Sequence, residues 1–236
     1  MPRQRIIDIC LFLLLAGLLC YEIFILKGNN YYVVSLIIIL AGMMRFLLSF
    51  EKSHPSVQMM AVIAALCGLA IASRIAFIFL PQIKPMAAVV IITGIVFGGE
   101  AGFITGAVTA FVSNFYFGQG SWTPFQMFSW GFIGWLAGAL NGKKLLEKPL
   151  ALCIYGVFAG AAYSVIMEVW TTLSADGEFS VTRWGASMLA AMPVTLIYCV
   201  SNSVFLLLLR KPVGKRLERL KTKFAVFEYT NIQSGH

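Results

Sequence analysis

Apolar residues in this chain fall in long runs, separated by short clusters of glycine, proline and charge. The runs lie near 6–26, 32–50, 57–80, 86–98, 100–115, 124–141, 150–173 and 184–209. Most approach or exceed the roughly 20 apolar residues that carry a helix across a bilayer. The pattern therefore predicts an all-α integral membrane protein of eight spans. The stretch MAAVVIITGIVFGGEAGFITGAVTAFVSNF is too long for one helix, so it is divided into two short ones at Gly98-Gly99-Glu100. Glu51, Lys52, His54 and Pro55 end the second run and separate a two-helix extension (1–55) from a six-helix core (56–210). A basic tail, 211–236, follows.

The first run could pass for a secretion signal. Its apolar region exceeds the roughly 7–15 residues of such a signal and no small-residue cleavage site follows, so a retained span is expected. Glycines recur at 94, 98, 102 and 106, and again at 134, 138 and 142. A four-residue spacing puts them on one helix face, where they allow a neighbouring backbone to come close. Gly94, Gly98, Gly102, Gly106, Gly134 and Gly138 are thus expected at helix contacts. Ala61 and Ala65, with the row Ala64, Gly68 and Ala72, form a second small-residue pattern along 57–80. Spacing alone favours packing inside the bundle for these, with contact to another protein as the other reading.

Composition agrees with the runs: 59% of the 236 residues are hydrophobic and 12% charged, against about 45–50% and about 25% in soluble domains. The net charge of +8 is uneven. Arg210, Lys211, Lys215, Arg216, Arg219, Lys221 and Lys223 face only Glu218 in their stretch, which fits a cytoplasmic flank better than a nucleic-acid site. With eight spans, Arg3, Arg5, Lys52, Lys143, Lys144, Lys148 and this tail share one side, and only Lys27, Lys84 and Arg183 the other. The expected topology has both termini in the cytoplasm of a bacterial plasma membrane. The outer connections are then 81–85, 114–123 and 174–183.

Hydrolase and transferase signatures are missing: there is no His-Glu-x-x-His, Gly-x-Ser-x-Gly, Walker lysine loop or paired Asp cluster. The five cysteines lie in apolar runs without metal-ligand spacing, so no metal site and no cofactor are expected. The chemistry that remains is that of binding. Arg74 and Glu168 are ionisable groups toward the outer ends of their spans. Either they face a substrate cavity, singly or as a pair, or Arg74 snorkels to headgroups and Glu168 caps a wet helix end. Asn114, Phe115, Tyr116, Phe117, Gln119, Trp122, Thr123, Phe125, Gln126 and Trp130 bring rings and amides together at the outer surface. Rings offer flat apolar area and amides orient a ligand, whereas an interfacial belt explains Trp122 alone. From these, Arg74, Asn114, Tyr116, Trp122, Gln126, Trp130 and Glu168 are the candidate substrate-binding residues.

AVIAALCGLAIASRIAF, a proline-containing connection, the glycine-rich helical pair, the aromatic turn and FSWGFIGWLAGALNGK together resemble the S component of energy-coupling factor (ECF) transporters. The resemblance covers roughly 57–210, as a six-helix core preceded by two extra transmembrane helices. It implies a membrane subunit that is not itself an ATPase, captures a vitamin-like small molecule from outside and hands it inward with a transmembrane T component and two ATPase subunits. It further implies that Ala61 and Ala65 meet the T component, and that IFLPQIKPM is a lid. The uncharged aromatic connection favours a large or flat neutral substrate over a bare metal ion, and WTPFQMFSWGFIG is similar to S components for cobalamin or other corrinoids, with riboflavin and other vitamins still open. The rival reading is a self-contained secondary transporter of a small organic solute. Against it stand the lack of two equivalent halves and of a relay of buried acids.

Overall fold

A computed structural model describes residues 31–52, 55–141 and 145–223. The expected span at 6–26 lies outside the described residues, as do His54, Gly142, Lys143 and Lys144. Seven α-helices follow in order: α1 (Tyr31–Lys52), α2 (Val57–Ala76), α3 (Met86–Phe97), α4 (Gly99–Phe117), α5 (Thr123–Asn141), α6 (Pro149–Asp176) and α7 (Val181–Lys223). A single 3₁₀ turn, Leu145–Glu147, precedes α6. Three of the helices, α2, α6 and α7, are long and apolar enough to cross a membrane on composition alone. The protein is an all-α, multi-pass membrane bundle.

Local chemistry sets the helix ends. Ser56 caps α2 by accepting the Met59 N–H at 3.1 Å. Pro149 opens α6, and Gly177 closes it in the left-handed region, donating its N–H to the Leu173 carbonyl at 2.9 Å. Chain reversals place 77–85, 118–122 and 177–180 at one end of the bundle, hereafter the Lys84 end. The α3–α4 break and the end of α7 lie at the other, the Gly98 end.

α3 is the centre. Every residue from Met86 to Phe97 is buried, as expected for a helix apolar all round. It packs against α2, α4, α5 and α7. Between α3, α4 and α5 the contacts are backbone to backbone: a Cβ on Gly94, Gly102, Gly106, Gly134 or Gly138 would come closer than 3.0 Å to main-chain atoms of the facing helix. Gly98 departs from the expected contact role. A Cβ there would meet nothing, and its φ of 100° shows that it turns the chain between α3 and α4. Gly156 and Gly160 do for the α6–α7 pair what the first set does for the centre, meeting the backbone at Ser203 and Cys199. The sequence reading passed over them.

Two expectations need correction. The row Ala61, Ala64, Ala65, Gly68 and Ala72 does not pack inside the bundle: all five are exposed, and a Cβ on Gly68 would have open space around it. α2 instead turns Met59, Ile63, Leu66, Cys67, Ala70 and Arg74 inward, a stripe at helical spacing. Nor does a separate tail begin at 211. α7 continues unbroken to Lys223, through Pro193 and Pro212. At 1.5 Å per residue its 43 residues make about 65 Å, twice the hydrocarbon thickness. The overhang packs back: Leu217 is buried, and Lys221 Nζ donates to the Val96 carbonyl at 2.9 Å.

The extension helix α1 lies against α4, α5 and α6. Phe46 stacks on Phe103 with centroids 4.0 Å apart, and Ser49 donates to a Glu100 carboxylate oxygen at 3.4 Å.

Substitution tests the glycine contacts. Gly134→Val should prevent recovery of folded protein or lower its stability by about 1–3 kcal/mol or more. Gly68→Ala should leave the thermal midpoint in detergent unchanged. Equal tolerance at both positions would show that the close approach is not needed.

Candidate functional site

At the Lys84 end, five helices contribute to one polar cluster. Arg74 begins it. It occupies the last position of the inward stripe of α2 and is only 8% exposed. Its Nη1 donates to Asn114 Oδ1 at 2.9 Å and to Ser113 Oγ, both in the last turns of α4. The guanidinium carbon lies 4.2 Å from the ring centre of Phe117 and 4.9 Å from that of Trp130, within cation–π range. The snorkelling reading of Arg74 is thereby excluded: the side chain turns into the protein.

Asn114 passes the network on. Its Nδ2 donates to Thr123 Oγ1 at 3.2 Å and to Gln126 Oε1 at 2.7 Å, so the whole carboxamide is engaged. Thr123 donates to Gln119 Oε1 at 2.9 Å and accepts the Gly120 N–H at 3.2 Å, which ties the 118–122 connection to the cluster. Gln126 Nε2 then donates to the Tyr163 hydroxyl on α6 at 3.1 Å. Tyr163 stacks on Trp130 at 5.9 Å and meets Tyr198 of α7 edge-on at 5.1 Å. From the 77–85 connection, the Lys84 N–H donates to Ser201 Oγ at 3.2 Å, and Lys84 Nζ lies 5.0 Å from the Phe117 ring centre.

The fold explains why these residues meet. Where helices pack backbone to backbone there is no room for long side chains, so polar groups of any size collect beyond the glycines. Buried amides and hydroxyls must then satisfy one another, and here the bonds from Arg74 to Asn114, from Asn114 to Gln126 and from Gln126 to Tyr163 each join two different helices. The result is a set of directional donors and acceptors, walled by ring faces. It is suited to holding a small molecule in one orientation.

Arg74, Asn114, Gln126 and Trp130, all expected to bind substrate, come together in this cluster. Tyr116, Trp122 and Glu168 do not. Tyr116 is 62% exposed and touches Phe117 edge-on from outside. Trp122 pairs with Trp170 at 5.7 Å, whose Nε1 donates to Ser121 at 3.3 Å; the two rings form a separate patch at the rim. Glu168 makes no ion pair with Arg74. It lies five residues beyond Tyr163, about 140° further round α6, and so points away from the face that carries the cluster. The sequence reading missed Ser113, Tyr163, Tyr198 and Ser201, and counted Lys84 only as an outer charge. The available signal was a tyrosine within each of two apolar runs, Tyr163 in AGAAYSV and Tyr198 in TLIYCV.

A groove of about 440 Å³ lies beside the cluster, between Ile83 and the Leu196–Phe205 stretch of α7. Ser201 is its single polar contributor, and its wall includes Val200 at 63% exposure. A cavity of that kind offers apolar area without the means to orient a ligand. The polar cluster is the better site.

Comparison with known proteins gives one match. The family model described as "ECF-type riboflavin transporter, S component" matches residues 52–219. No curated protein and no solved structure matches the chain. The matched span takes in α2 to α6 and α7 as far as residue 219, with every residue of the cluster, and it leaves out all of α1 but its last residue. The chain belongs to the ECF-type riboflavin transporter S-component family.

Proposed function

We propose that this protein captures a flat-ringed, flavin-like vitamin at the Arg74–Tyr198 cluster and delivers it inward with a T component and two ATPase subunits. The five-helix cluster, in which an arginine, two amides and four aromatic rings meet, is the observation that carries this reading. The name of the matched family points the same way. The aromatic lining, with Phe117 and Trp130 beside the Arg74 guanidinium and Tyr163 stacked on Trp130, suits a single planar ring system and favours a flavin over the larger corrinoid that the aromatic stretch first suggested. The Lys84 end then faces outward. The Gly98 end, with Lys148 and the basic overhang of α7, faces the cytoplasm in accord with the positive-inside rule.

The exposed row on α2 is the proposed contact with the T component. Small residues admit a second helix closely, and the open space at Gly68 leaves the glycine without an internal use. Ala61 and Ala65 lie on this bare face, while the opposite face of α2 holds Arg74. One helix would thus connect the partner surface to the substrate site.

Protein purified from cells fed a vitamin mixture should release a flavin on denaturation, identified by absorbance and mass spectrometry. A corrinoid instead would restore the first substrate assignment. In proteoliposomes the chain alone should give no sustained uptake, and addition of the T component with its ATPases should restore it. Full uptake by the chain alone would make it a secondary transporter.

Binding should separate the two aromatic groups. Trp130→Ala should weaken riboflavin binding at least about tenfold, roughly 1.4 kcal/mol. Trp122→Ala and Tyr116→Ala should leave it within about twofold. The reverse order, by fluorescence titration, would move the site to the rim.

Replacing both Ala61 and Ala65 with Leu should abolish co-purification with the T component and spare riboflavin binding. Undiminished co-purification would assign the row to lipid.

A further inference from the structure

The uncharged 114–123 connection suggests a neutral substrate, but folding brings two cations to the site that the sequence order keeps apart. Arg74 and Lys84 approach the same ring, Phe117, with Cζ at 4.2 Å and Nζ at 5.0 Å from its centre. Both charges therefore lie within about a Debye length of each other. Around them stand Ser113, Asn114, Phe117, Trp130, Tyr163, Tyr198 and Ser201, all neutral. Among the described residues the ion pairs are Arg183 with Asp176 and Arg210 with Glu218, and neither touches this cluster.

A guanidinium this deeply buried is costly unless an anion or a full set of acceptors meets it. The acceptors here are incomplete. Both side-chain hydrogen bonds of Arg74 leave from Nη1. Among the described residues, no hydrogen bond leaves from its Nε or Nη2. That edge of a guanidinium is the one that accepts a carboxylate or phosphate in two-point fashion. Lys84 contributes the second charge from the 77–85 connection, held in place by its N–H bond to Ser201.

We infer that the substrate is anionic: a planar ring compound whose carboxylate or phosphate is held by Arg74 and Lys84 while its ring lies against Phe117, Trp130 and Tyr163. This deepens the proposed function and rests on its placement of the site. Lys84 sits on the connection that meets the cluster at Ser201 and Phe117, so an anion shared with Arg74 would also tie that connection to the site. A neutral analogue fills the ring subsite but leaves the two charges facing each other.

The test compares matched pairs that differ in charge, measured by titration calorimetry in phosphatidylcholine nanodiscs: riboflavin and its 5′-phosphate, nicotinamide and nicotinate, biotinamide and biotin. The anionic member of the binding pair should bind on the order of tenfold tighter, with the advantage shrinking as salt rises. Arg74→Gln and, separately, Lys84→Gln should bring the ratio near one, and Arg74→Lys should restore part of it. Should Arg74→Gln fail to fold, Lys84→Gln carries the test alone, because its side chain belongs to a surface connection.

Equal binding within the pair, or preference for the neutral member, overturns the inference and leaves the proposed function intact. Binding of nicotinate or biotin with neither flavin overturns the flavin reading and supports the anionic site. No binding by any of the six overturns both. A lipid headgroup is the other source of phosphate. If charge selectivity is absent and the two Gln variants differ from the native protein only in stability within phosphatidylglycerol discs, the cations form a headgroup site and the inference falls.

Discussion

Everything in this protein depends on how closely α3, α4 and α5 approach. Inside a membrane, burial from water no longer drives helices together, and packing has to do so. The glycines at 94, 102, 106, 134 and 138 allow main chain to touch main chain across three helices. One consequence is that α3, only 12 residues long, can be buried on every side. Another is that Gly98 must turn the chain within one residue, since the helices on either side are already in contact with α5.

The same constraint locates the chemistry. A backbone-to-backbone seam cannot hold an arginine, an amide pair and four large rings. These gather where the helices diverge, at the Lys84 end. There Asn114 and Gln126 replace the seam with hydrogen bonds, 2.7 Å from each other and linked onward to Arg74 and Tyr163. A bundle so joined resists relative motion of α4, α5 and α6 at the site. The 77–85 connection is held differently, by the Lys84 contacts and without a helix of its own. Gln82 within it takes a φ of 62°, which a non-glycine residue adopts rarely. The helical part of the cluster and the 77–85 connection beside it are therefore held by different contacts.

How much of this was legible depends on whether the signal was periodic or spatial. Helix limits followed from apolar runs and breakers: the division at Gly98, the start of α2 beside Ser56 and the aromatic turn before α5 all follow from local composition. The glycine faces were legible because a four-residue repeat survives in one dimension. Facing direction was harder. Ala61 and Ala65 carry the same small-residue pattern whether they meet a helix of this chain or another protein, and only the inward stripe ending at Arg74 shows which side of α2 is used. Tyr163 and Tyr198 gave only a weak signal, a tyrosine in each of two apolar runs, and what they share becomes visible only when α6 and α7 pair. Glu168 failed for the opposite reason: charge drew attention to it, while the helical angle from Tyr163 turns it away.

The position of α1 follows from the same geometry and bears on how the extension coexists with function. Its Phe46 reaches Phe103 and Trp135, on α4 and α5, and Gly42 meets Phe128 of α5. α2 packs on α3 and on α4 from its own inward stripe. The added helix thus lies on the α4–α5–α6 flank and leaves the bare row of α2 uncovered. It touches the bundle through rings and through the Ser49–Glu100 hydrogen bond, and the contacts shown for it do not reach the polar cluster. An added helix on the α2 flank would have hidden the small-residue face. On the α4–α5 flank α1 adds buried area where the seam is already close-packed, and among the described residues it covers neither the cluster nor the small-residue row.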